Sequence, residues 1–249
     1  MKRIVSNRPA TPRISRRCFV SLTCGASAIA LVDSASAQIG TSGTVALTKE
    51  RRDRMTTEQV VDELKQGNER FRTGRVMSRD YRDQQRTSAA GQFPAAAILG
   101  CMDSRAPAEI VFDAGIGDTF NARVAGNVVN DDLLGSLEFA CAVAGAKVLM
   151  LFGHTSCGAI KGAIDDVEMG NLTGLLARIK PAITATTFAG EKSSKNPAYV
   201  DAVARTNVIV GLDNIRRRSP ILADLESKKR IQIVGAMYDL TTGGVEFLR

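Results

Sequence analysis

Runs of apolar residues alternate with stretches of helical period along most of the chain. Val60, Val61, Leu64 and Phe71 recur at helical spacing behind Thr56 and Thr57, which predicts a threonine-capped amphipathic helix over about 56–73. Residues 74–92 are polar and predict at most a short helix between long arms. Pro94 opens a run of small apolar residues from Ala95 to Leu99, read as a buried strand that ends in a turn at Gly100 and Cys101. Residues 118–124 read as a second strand. Asp131 or Asp132 is expected to cap a helix carrying Leu133, Leu134, Leu137, Phe139, Ala140 and Val143. Lys147 to Phe152 is a further buried strand, ending at Gly153 and His154. Helical patterns follow at 158–166, 172–189, 197–217 and near 220–228. Ile231 to Tyr238 reads as a strand, and Thr242-Gly243-Gly244 turns the chain toward a hairpin partner at 245–248.

Strands that alternate with helices and are apolar along their whole length belong to a parallel sheet covered on both faces. The expected class is α/β: four parallel strands plus an edge strand, flanked by helices, in a single domain over 56–249. Residues 38–55, rich in Gly, Ser and Thr and then basic, read as a linker.

Charge changes the picture at the N-terminus. The chain of 249 residues carries a formal +7, which would suggest nucleic acid or membrane partners. Within residues 1–37, however, six cationic residues face only Asp33, so that segment holds +5 and the remainder only +2. A nucleic-acid footprint is therefore not expected. The leader has a basic segment ending in Ser15-Arg16-Arg17-Cys18-Phe19-Val20, a moderately apolar stretch to Val32, and Ala35-Ser36-Ala37 as a cleavage pattern. Paired arginines in that context resemble a bacterial twin-arginine export signal, which a receptor reads and which does not anchor the protein. The expected location is periplasmic or secreted, with no stable membrane association after cleavage. That cleavage would leave Cys101, Cys141 and Cys157, an odd number that fits a disulfide framework badly.

The only histidine lies in Gly153-His154-Thr155-Ser156-Cys157-Gly158, just past one predicted strand, and Cys101 begins Cys101-Met102-Asp103-Ser104-Arg105 just past another. Carboxyl ends of strands line the ligand crevice of an open α/β sheet, so both segments reach one rim. Thiolate and imidazole are favoured zinc ligands, and three protein ligands leave a fourth position open for water. Cys141 falls on an apolar helix face and reads as core.

The pair Cys-Met-Asp-Ser-Arg at 101–105 and Gly-His-Thr-Ser-Cys-Gly-Ala at 153–159 resembles the signature of β-carbonic anhydrases. Residues 106–109, 117–127 and 135–140 are similar to that family as well. The resemblance spans roughly 56–249. It implies one catalytic Zn2+ per subunit on Cys101, His154 and Cys157, with Asp103 and Arg105 as a catalytic dyad beside it. It implies reversible hydration of carbon dioxide to bicarbonate and a proton by hydroxide held on the metal. In some members the aspartate is itself a fourth ligand, so Asp103 belongs to both the catalytic and the metal set. A homodimer or homotetramer is implied, with the helix at about 56–73 wrapping the partner. No histidine is left over to shuttle protons. Some members also bind bicarbonate at a regulatory site that uses a Trp, and this chain has no Trp.

Gly153 and Gly158 begin a phosphate-loop pattern, but Ala159 stands where the lysine belongs; Gly115 and Gly117 begin a dinucleotide pattern that Phe120 breaks. Arg216-Arg217-Arg218 reads as a solvated helix end. Two alternatives keep the zinc set: hydrolysis of carbonyl sulfide or carbon disulfide, and a non-catalytic zinc protein. An open three-ligand site argues against the last, since structural zinc sites usually close with four ligands.

Overall fold

A computed structural model describes residues 45–248. The leader at 1–37 and the first part of the expected linker lie outside the described residues. Five strands form one sheet in the order β2-β1-β3-β4-β5: β1 (Ala96–Gly100), β2 (Thr119–Arg123), β3 (Val148–His154), β4 (Gln232–Tyr238) and β5 (Val245–Leu248). The first four are parallel, and β5 runs antiparallel to β4 as the hairpin partner. The expected architecture of four parallel strands and an edge strand is the one observed.

β1 and β3 are buried along their whole length, because both faces of the sheet are covered. Strand period divides their side chains between two cores. Ala97, Leu99, Leu149 and Leu151 pack with Val200, Val203, Val208 and Ile215 of a long helix on one face. Ala96, Ile98, Val148, Met150 and Phe152 pack with Val60, Val61 and Leu64 on the other.

The helices on the second face begin earlier than the sequence suggests. α1 (Lys49–Arg54) lies inside the expected linker, capped by Thr48, with Ala46, Leu47 and Met55 buried around it. Its own six residues are all charged, so it shows no apolar period. Its buried Arg52 bonds the carbonyl oxygen of Ala144 instead. α2 (Thr57–Arg72) carries the expected cap as a full box: Thr56 Oγ1 accepts from Gln59 N, and Gln59 Oε1 accepts from Thr56 N. α3 (Tyr81–Ser88) is the short helix within the polar stretch. α4 (Ala108–Val111), a single turn, was not foreseen.

Three details differ from expectation. α5 (Asp131–Glu138) is capped by Asn130, whose side chain accepts from Leu133 N. Asp131 and Asp132 occupy its first turn, where their charge suits the helix dipole. The helix then widens into a π-turn, Phe139–Val143, that buries Cys141. Burial pushes this thiol up to about 12, as expected of a core cysteine. The pattern at 172–189 is two helices after α6 (Gly158–Ile164): α7 (Gly170–Ala177) and α8 (Lys180–Ala185). Pro181 has no N–H to give to the preceding turn, so one helix cannot run through. α9 (Pro197–Arg218) and α10 (Pro220–Ser227) follow the expected bounds closely.

No helix among the described residues is long and apolar enough to cross a membrane.

α2 meets α4 through Gly67, where an added Cβ would sit 1.9 Å from the carbonyl oxygen of Phe112. Helix propensity alone makes alanine better than glycine at such a position by about 1 kcal/mol. The backbone clash reverses the sign. Gly67→Ala is expected to destabilise the fold by roughly 1–3 kcal/mol, read as a lowered denaturation midpoint; a raised midpoint would show that the two helices separate at no cost.

Candidate metal centre

β1 and β3 are neighbours, with Gly100 paired to Phe152. Parallel pairing puts their carboxyl ends on the same edge, and the two expected motifs leave from there. Cys101 follows β1 directly, His154 is the last residue of β3, and Cys157 precedes the first turn of α6. All three are buried, and their ligand atoms lie within 4.8 Å of one another.

The two sulfurs are 3.9 Å apart. Sulfurs about 2.3 Å from one ion in tetrahedral geometry stand about 3.8 Å from each other, so the spacing suits zinc. A disulfide needs about 2.05 Å, and all three described cysteines are free. His154 supplies the second indication. Its Nδ1 lies 2.8 Å from the carbonyl oxygen of Thr155, which makes Nδ1 the protonated nitrogen and turns the Nε2 lone pair inward. Nε2 is buried and has no hydrogen-bond partner. A buried polar atom left this way is costly unless something fills the place. A metal ion does so.

The electrostatics favour a cation. The Cys157 thiol hydrogen-bonds to Cys101 and, against the cost of burial, draws its pKa down to about 4, helped by His154 and by the N–H groups of Asp103 and Gly126. Those N–H groups reach Cys101 Sγ at 3.4 and 3.3 Å. The same thiol–thiolate bond, with burial, pushes Cys157 up. Binding of a metal ion to thiols displaces their protons. Burial opposes charge on His154, but its contact with Cys101 and the nearby Asp103 outweigh that and raise its pKa.

Asp103 and Arg105 form a forked pair at the mouth of the group. Arg105 Nε and its backbone N each donate to Oδ1 at 2.9 Å, and Nη2 donates to Oδ2 at 2.7 Å. Arg105 holds the carboxyl well below the usual carboxylate range. Oδ2 is 3.9 Å from His154 Nε2. Asp103, also expected as a ligand, lies outside the three-residue group, with both oxygens occupied by Arg105.

Sequence reading missed three supports. Arg123, at the end of β2, donates from Nε to the Cys101 carbonyl oxygen at 2.9 Å and from Nη2 to that of Asp103. Gly126 presents its N–H to Cys101 from a backbone with φ of +66°, which an L side chain rarely adopts. Asp201, on α9, accepts the Ser156 N–H at 2.7 Å. Arg123 and Gly126 lie within the stretch that resembles the family, but nothing in their spacing marks a role, and Asp201 sits 44 residues past Cys157 on a helix that reads only as core packing.

Comparison with known proteins agrees with this geometry. Residues 96–245 match the family model described as carbonic anhydrase. Carbonic anhydrase 2 of Mycobacterium tuberculosis is 35% identical over 182 residues, covering 72% of this chain and 87% of that protein. A carbon disulfide hydrolase of Acidithiobacillus thiooxidans is 34% identical, but over 77 residues that cover 28% of this chain and 36% of that protein. Among solved structures, a tetrameric β-carbonic anhydrase of Sordaria macrospora superposes with a TM-score of 0.57 at 26% identity, covering 64% of this chain and 83% of its own. Members of this family use zinc, and with its open Cys101, His154 and Cys157 set the chain belongs to the β-carbonic anhydrases.

Proposed function

We propose that this protein catalyses the reversible hydration of carbon dioxide to bicarbonate and a proton at this centre. The observation that carries the proposal is the buried, partnerless Nε2 of His154 beside two sulfurs at metal-sharing distance. Zinc bound there supplies a Lewis acid that makes water nucleophilic near neutral pH. Cys101, His154 and Cys157 would hold the ion, and three protein donors would leave a position for water. Asp103 stays ionised, and a carboxylate in that state only accepts hydrogen bonds. It takes one from the reacting water and turns the oxygen lone pair toward the substrate. Arg105 keeps Asp103 from rotating away, since a planar guanidinium grips both oxygens at once. For Asp103 to act as a fourth ligand it must leave that fork. Histidine is absent elsewhere, so the product proton leaves through water, buffer or rim carboxylates.

Carbon dioxide is preferred over sulfur analogues because the relative matched along most of its length carries the carbonic anhydrase name, whereas the carbon disulfide hydrolase matches only in part. A homodimer or homotetramer is supported by the tetrameric Sordaria relative and by exposed Val76, Tyr81, Ile110 and Ile116, which line one hollow beside α4. The leader supports export before function; the intact mass of the protein recovered outside the cytoplasm should begin at Gln38, and recovery only as uncleaved chain inside the cell would remove that reading.

Zinc-loaded protein is expected to hydrate carbon dioxide in stopped flow. Cys101→Ser and His154→Gln should lose both bound zinc and rate; a loaded parent no faster than buffer would overturn the proposal. Arg105→Lys keeps the charge but not the fork. Its kcat/KM should fall roughly 10–100-fold with zinc content unchanged, the usual scale for removing a group that orients a site residue, and a parent-like kcat/KM would dismiss the positioning role.

A further inference from the structure

We propose that Asp201 is the positioning carboxylate of His154, acting on the imidazole through the peptide unit between Thr155 and Ser156. The inference rests on the reading that His154 binds metal, and it names a residue to which that reading gives no role.

The contacts form a series. Asp201 Oδ1 accepts the Ser156 N–H at 2.7 Å. The carbonyl of the same peptide unit, Thr155 O, accepts from His154 Nδ1 at 2.8 Å. One rigid amide plane therefore joins a carboxylate to the imidazole whose other nitrogen faces the metal. Histidine ligands usually give their second N–H to a carboxylate or to a backbone carbonyl. Here the two stand in line. A negative charge that accepts the N–H polarises the amide, and the carbonyl becomes a stronger acceptor for Nδ1–H. His154 then gives more electron density at Nε2.

The same bond has a conformational effect. Ser156 has a φ of +54°, in the left-handed region that a non-glycine residue enters at a cost. Its backbone N–H bond to Asp201 supports that turn. Thr155 is fixed separately: its N–H donates to Tyr238 O at 2.9 Å, and its Oγ1 accepts from Leu240 N at 3.0 Å. Asp201 thus holds the Thr155–Ser156 peptide, the one after that held by Tyr238 O. The carboxylate is free for this work because Arg205, one helical turn further along α9, is held in a fork by Glu246.

Two substitutions test the proposal in full-length, metal-loaded protein. Asp201→Asn keeps the shape and an acceptor oxygen but removes the charge; Asp201→Ala removes both. Two readouts are independent of carbon dioxide hydration: the rate of zinc transfer to an excess of chelator, and the electronic spectrum of the cobalt(II)-substituted protein. Zinc transfer should quicken about 10–100-fold in the alanine variant and less in the asparagine variant. The cobalt bands should shift in both, because the donor strength of His154 changes. Should the alanine variant fail to fold, the asparagine variant alone decides. A cobalt spectrum identical to the parent's overturns the proposal even where zinc release quickens, since loss of a purely structural bond would leave the bands in place. Absence of carbon dioxide hydration by the parent would sink the proposed reaction and leave this result standing.

Discussion

Two thiols and an imidazole buried within one small volume are unfavourable without an ion among them. Their lone pairs converge, no hydrogen-bond partner answers the inward nitrogen of His154, and the two sulfurs stand 3.9 Å apart. The surrounding structure holds this arrangement in place. Parallel pairing of β1 with β3 brings the two halves of the ligand set to one edge of the sheet. Gly126 and Asp103 turn their N–H groups onto Cys101, and Arg123 ties the backbone around it. Folding delivers the ligands and prepays the ordering that metal binding would otherwise demand.

Much of this was legible beforehand. β1 and β3 announced themselves because a strand covered on both faces has no polar positions, and the metal ligands stood out because soft donors directly after such strands have one natural meeting place. α2 was visible from its threonine cap and apolar stripe. What escaped had no period to show. Every residue of α1 is charged, and apolar residues that flank it are buried. The break between α7 and α8 turns on the single residue Pro181. The cap of α5 fell to Asn130 because an acceptor one position earlier reaches the Leu133 N–H, while its two acidic neighbours suit the dipole equally well from inside the helix. Asp103 was read both as ligand and as part of a dyad, and it is held in a fork by Arg105.

Around the metal, the support comes from separate elements of the fold. Arg123 belongs to β2, Gly126 to the connection after it, and Asp201 to α9. Contacts of this kind leave no trace in local spacing, because the partners meet only after the sheet and helices have assembled. A site whose first ring of residues is readable in two short motifs thus depends on an outer ring that becomes visible only in three dimensions.

The connection between β4 and β5 has a bearing on how the site is braced. Asn68, in α2, donates to the carbonyl oxygen of Gly243 and accepts from Val245 N, and the turn holding His154 leans on Tyr238 and Leu240. These partners lie 83 to 177 residues further along the sequence than the residues they brace. The metal-binding turn therefore gains its bracing only once β4 and the connection after it have docked. A chain cut after Ala236 would keep all three ligands and lack part of the scaffold that holds them.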